Sequence, residues 1–200
     1  MGWFGPSKDE VWRQLSHAIG AEFVEGGFWK GGNKVQVHVK PWTITLDTYT
    51  VHTQHSHVTY TRMRAPYVNP EGFRFTIYRK GFLSDLGKLL GMQDIEVGDP
   101  EFDGAFIIKG TDEFKVRDLF ANPQIRQMIQ AQPKFRLDVK DSEGWFGPKF
   151  PDNVDELHFQ VVGVIKDIER LKALFDLFAA VLEELCRIGS AYKRERGITL

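Results

Sequence analysis

Residues 34–50 read KVQVHVKPWTITLDTYT. Val35, Val37 and Val39 alternate with Gln36, His38 and Lys40, and after Pro41 the alternation resumes through Ile44 and Leu46. Successive side chains of an extended chain point to opposite faces, so a period of two gives one buried and one wetted face. The stretch predicts two half-buried strands, and the fold follows from how far this rhythm extends.

On the N-terminal side, residues 26–33, GGFWKGGN, place four glycines around two aromatics and read as a hairpin loop. Before them, Ser7 and Glu10 have the spacing of a capping box, and Val11, Trp12, Leu15 and Ile19 recur at helical intervals up to Gly20. On the C-terminal side, residues 58–64 and 72–79 are strand candidates. The link between them, APYVNPEG, contains Pro66 and Pro70, which predict a break in pairing, and its shortness predicts antiparallel neighbours.

Residues 81–91, GFLSDLGKLLG, read as a short glycine-punctuated helix across one end of the sheet. Residues 105–109 predict another strand, Thr111 or Asp112 a helix cap, and Asn122-Pro123 the start of a further helix, with proline at its favoured first position. Strands at 135–140 and 157–164 precede a helix over 167–189. There Ile168, Leu171, Phe175, Phe178, Leu182 and Leu185 step by three and four, and Leu174, Leu177, Val181 and Ile188 widen the stripe. A seam this short favours packing on a sheet over an independent coiled coil. The expected fold is one α+β domain over 1–200: an antiparallel sheet of about seven to eight strands, a long C-terminal helix across it and shorter flanking helices. Its first half (1–90) is hairpin-rich and its second (91–200) mixes strands with helices.

Composition narrows the function classes. The chain has 200 residues, 42% hydrophobic, with 26 basic against 27 acidic side chains, so no global field gathers nucleic acid. The single cysteine, Cys186, cannot form an internal disulfide and reads as a buried, inert thiol. The segment MGWFGPSKDEVW lacks the features of a secretion signal, and Pro6 stands where a myristoylation motif wants Ser or Thr. No apolar run reaches the ~20 residues of a membrane span. The expected location is cytoplasmic.

Four constellations stand out. His52, His55 and His57, with His38 on the preceding strand, could supply imidazoles to an ion such as zinc, His55 and His57 sharing a face if that stretch is extended. Their place at a hairpin end favours solvated turn histidines. Asp94, Glu96, Asp99, Glu101 and Asp103 are dense enough for calcium but lack the ligand order of an EF-hand, which favours a solvated loop closing onto the sheet through Phe102 and Phe106. Arg62, Arg64, Arg74, Arg79 and Lys80, interleaved with Phe73 and Phe75, could stack and neutralise a single-stranded nucleic acid. Pairing with the acidic loop is the favoured alternative. Lastly, residues 2–6, GWFGP, recur at 144–148. Gly and Pro force tight turns there, so Trp3, Phe4, Trp145 and Phe146 either plug the core or form exposed contacts for a partner or a membrane interface.

No G-x-S-x-G, P-loop, G-x-G-x-x-G, H-E-x-x-H or CxxC motif is present. The stretch GDPEFDGAFIIKGTDEFKVRDLF followed by NPQIRQMI resembles a family of bacterial proteins of unknown function in which an acidic FD-x-x-F strand precedes a helix. The likeness covers about sixty residues of the chain. Some proteins of that kind carry the domain beside membrane helices, and the resemblance assigns no role to any residue. The expected function is a non-enzymatic binding or scaffold domain without a cofactor. It would recognise a protein or a small apolar ligand through a cleft between sheet and helix or through the GWFGP turns, with peripheral membrane contact and homodimer formation as further modes. The alternative is a metal-dependent hydrolase built from the histidine and acidic clusters.

Overall fold

The computed structural model describes residues 5–27, 32–52, 56–81, 93–142 and 149–192. Through them run α1 (Lys8–Ile19), β1 (Glu22–Val24), β2 (Lys34–Val39), β3 (Trp42–His52), β4 (His57–Val68), β5 (Phe75–Arg79), β6 (Gln93–Asp94), α2 (Pro100–Ala105), β7 (Phe106–Gly110), α3 (Glu113–Ala121), α4 (Pro123–Gln130), β8 (Arg136–Lys140), β9 (Val154–Val162) and α5 (Ile168–Arg187). The helix starts follow from their caps. Ser7 and Glu10 close a reciprocal box on α1, which ends at Gly20 with φ 65°. Asp112, Asn122 and Asp167 each accept a bond from a backbone N–H in the first turn of α3, α4 and α5.

The strands form one antiparallel sheet in the order β1-β2-β3-β4-β9-β8-β5-β7-β6. The strands that the sequence does not reveal are β1 and β6, three and two residues long and too short to display a period. A second departure concerns β4 and β5, which are not neighbours: β9 and β8 lie between them. Asn69 explains this. Its backbone N–H donates to Asn153 O, and its side chain binds Phe73 O, Phe73 N and Asp155 Oδ2, so the link is tied across the end of β9 instead of closing a hairpin. Nor does Pro66 break β4, since it pairs with Glu156. The β3 ladder ends at Thr45↔Arg64, so beyond Arg64 the strand has, among the described residues, a neighbour on one side only, where a proline is tolerated.

The helices pack on one face. A cross-strand row Leu46, Met63, Phe159, Leu137, Ile77, Ile108 carries the apolar side chains toward them. Leu171, Leu174, Leu177, Phe178, Val181, Leu182 and Leu185 of α5 are fully buried in the same core. The wide stripe read from the sequence is thus a core face. Phenylalanines stitch this layer: Phe102 meets Phe106 and Phe120, Phe106 meets Phe135, and Phe135 stacks on Phe159 at 5.6 Å. Trp12 Nε1 donates to Ile165 O at 3.1 Å and fixes α1 beside the entry to α5.

Candidate functional site

The complement of that row lies on the opposite face of the sheet, where none of the described helices packs and where Asp138, His158 and Thr76 are nonetheless buried. One row there runs Asp47, Arg62, Gln160, Arg136, Tyr78 and Ile107, and the next runs Thr45, Arg64, His158, Asp138, Thr76 and Lys109. Four strands, β3, β4, β9 and β8, therefore bring charged groups distant in sequence into contact.

Asp47 is the hub of one half. Arg62 Nε and Nη2 donate to its two carboxylate oxygens at 2.8 Å each, and Arg64 Nη2 adds a third bond at 2.8 Å. Burial favours the neutral acid, but the Arg62 hydrogen bond and the charges of Arg64 and Arg62 outweigh it and hold the carboxyl below its ordinary pKa. In the other half, Asp138 pairs with Arg136 at 2.8 Å and with His158 Nδ1 at 3.0 Å, while Lys140 Nζ lies 3.1 Å from His158 Nε2. An ammonium can only donate, so Nε2 accepts and Nδ1–H donates to Asp138, which defines a neutral imidazole. Burial drives the same result, pushing the His158 pKa down to about 4 against the opposing pull of Asp138. Neither ring nitrogen is left free for a substrate.

Toward the β3–β4 hairpin end, the same face turns apolar. Tyr49 and Tyr60 stack at 5.1 Å, Arg62 lies over Tyr49 at 4.9 Å, and the Tyr49 hydroxyl donates to Gln160. One step further Val51 pairs with Val58, and β9 ends alongside at Val162. Val51 is 42% and Val162 53% exposed, with Val164 close by at 38%. Phe114 and Tyr192 are the other exposed large apolar side chains among the described residues, and Val51 and Val162 are the two that the register brings to one end of one face.

The sequence candidates fall as follows. His52 and His57 are directly opposed on β3 and β4, with Nδ1 atoms 2.6 Å apart, while His55 lies outside the described residues. His38 instead bonds Thr43. The acidic stretch is not all loop: Asp99 caps α2, Phe102 is buried, and Asp103 accepts from the Val97 and Gly98 backbone. Lys80 Nζ donates to the Asp103 carbonyl at 2.8 Å, but the four named arginines do not pair with this stretch. Arg62 and Arg64 take Asp47, Arg74 takes Asp141 at 2.9 Å, and Arg79 binds the carbonyls of Gln130 and Gln132, because strand order brings those groups nearer. Cys186 is partly buried. Trp3, Phe4, Trp145, Phe146 and the segment read as a helix over 81–91, after Gly81, lie outside the described residues. The histidines of β4 and the carboxylates of β6 sit five inter-strand spacings apart, on the order of 24 Å, and do not share a site. At that far edge Lys80, Asp94, Glu96, Phe106, Ile107 and Arg117 help line a groove of about 510 Å³. Sequence reading missed Asp138, His158 and Lys140, whose only signal is their polar phase within alternating strands.

Fold and face together define an α+β protein with one antiparallel sheet, helices on one side and a charged, partly apolar surface on the other. No family model matches the chain, and no curated protein matches it. Among solved structures it is similar to the crystal structure of the mycobacterial trehalose monomycolate transport factor A, TtfA, with a TM-score of 0.53 and 8% identity over 90% of this chain and 95% of that one. At this identity the likeness concerns the fold. No described helix is long and apolar enough to cross a membrane.

Proposed function

We propose that the chain is a non-enzymatic binding domain that docks a protein partner on the β3–β4–β9 end of the sheet. The exposed Val51 and Val162 beside the Tyr49–Tyr60 stack carry this reading. An apolar centre with tyrosines and a flanking arginine is the composition that binding surfaces favour. The adjoining charges satisfy one another, which suits a rigid platform better than acid–base chemistry. A shared fold with a protein named as a transport factor is consistent with binding, and supplies no ligand. Trp3, Phe4, Trp145 and Phe146 stand as additional partner contacts on sequence grounds.

A second reading rests on the groove at the β6–β7 edge. Its Ile95, Phe106, Ile107 and Ile108 lie among Lys80, Asp94, Glu96 and Arg117, a lining that fits a small amphiphile better than a wholly apolar ligand. Paired capture from the native host separates the two. Wild type and the double variant Val51→Lys/Val162→Lys are immobilised, and retained proteins and small molecules are identified by mass spectrometry. Docking at the sheet end predicts a protein retained by wild type and reduced at least tenfold, about 1.4 kcal/mol, by the variant. Identical retention by both contradicts it, and a small molecule retained equally by both supports the groove.

A further inference from the structure

The other side of the hairpin end carries a different chemistry. The β3–β4 ladder pairs His52 with His57 directly, and both side chains are exposed. Their ring centroids are 4.5 Å apart at 67° and their Nδ1 atoms 2.6 Å apart. Two neutral imidazoles can face each other through Nδ1 only if one donates and the other accepts; if both carry their proton on Nε2, two lone pairs meet. A single cation between the lone pairs removes that conflict.

We propose that His52 and His57 form a two-imidazole site for a late first-row divalent ion, Zn2+, Ni2+ or Cu2+. Imidazole nitrogen suits these ions and is a poor ligand for Mg2+ or Ca2+. With metal–nitrogen bonds of 2.0–2.1 Å, two nitrogens in tetrahedral arrangement stand ~3.3 Å apart, so the rings must separate by about 0.7 Å. Small χ rotations achieve this for exposed side chains whose neighbours along the ladder are Thr50 and Thr59, joined at 2.9 Å through their hydroxyls. Among the described residues no third His, Cys, Asp or Glu joins the pair, so these residues supply two ligands and leave the other positions open to water. Such a site is exchangeable and differs from a closed structural zinc centre. Its effect is a clip across the last described rung of the hairpin whose opposite side carries Val51 and Val58.

The test uses the full chain without a histidine tag. Cu2+ and Zn2+ are titrated calorimetrically into metal-free protein, with imidazole nitrogen NMR shifts as a second readout. The site predicts one equivalent of metal, shifts confined to His52 and His57 among the described histidines, and affinity reduced at least roughly tenfold in each of His52→Ala and His57→Ala, since loss of even a supporting contact around a metal costs that much. His38→Ala, checked by circular dichroism to be folded, keeps full affinity. Absence of binding at millimolar metal, or binding that survives either single substitution of the pair, overturns the proposal.

Discussion

Asp47 shows how a single side chain can organise a face. It accepts three hydrogen bonds from two arginines at 12% side-chain exposure, and it sits opposite Arg62 in the ladder. Asp47→Ala leaves two half-buried guanidinium groups without this partner and is expected to cost about 2 kcal/mol, read as a lowered urea midpoint at neutral pH. His158 makes a prediction in pH. An unfolded chain protonates this imidazole below about 6.5, whereas burial keeps the folded one neutral to about 4. The unfolded state therefore binds more protons between those values, and stability falls as pH drops through that window, by up to about 3 kcal/mol. In His158→Gln the difference between urea midpoints at pH 7 and pH 4.5 should shrink; an unchanged difference would assign the pH dependence elsewhere. Arg62 and Arg64 could be read from sequence as sharing a face, but Asp47 as their partner could not. Nothing local distinguishes Asp47 from the acidic stretch until the β3–β4 register is known.

At the scale of elements, legibility followed length and periodicity. α5 was evident because twenty residues repeat one stripe, and α1 because both of its ends are capped in sequence. β1 and β6 were not, and Pro66 misled because its effect depends on whether a second strand lies alongside. Phe178→Ala, deep in the α5 stripe, is expected to cost about 3–5 kcal/mol, measured as a fall in thermal midpoint. Gly110 shows a constraint on the join between β7 and α3. An added Cβ would lie 2.4 Å from Val116 Cγ2 and 3.4 Å from Arg74 O. Gly110→Ala should lose about 1–3 kcal/mol through overpacking, and a neutral result would mean that Val116 moves aside freely.

The whole molecule depends on an interleaving that no local signal records. β8 and β9 come from the second half of the chain and insert between β4 and β5 of the first, which completes both the core row and the charged face. Hence the α+β class was legible, while the cluster of Asp138, His158 and Lys140 with Arg136 was not. That insertion also places Val162 beside Tyr60 and so assembles the proposed docking surface. Hydrogen–deuterium exchange of the captured complex against the free chain tests this most directly. The account predicts new protection in peptides spanning 49–52, 57–62 and 160–164, with 93–110 unchanged. Protection confined to 93–117, or absent from the β3–β4–β9 end, would contradict it.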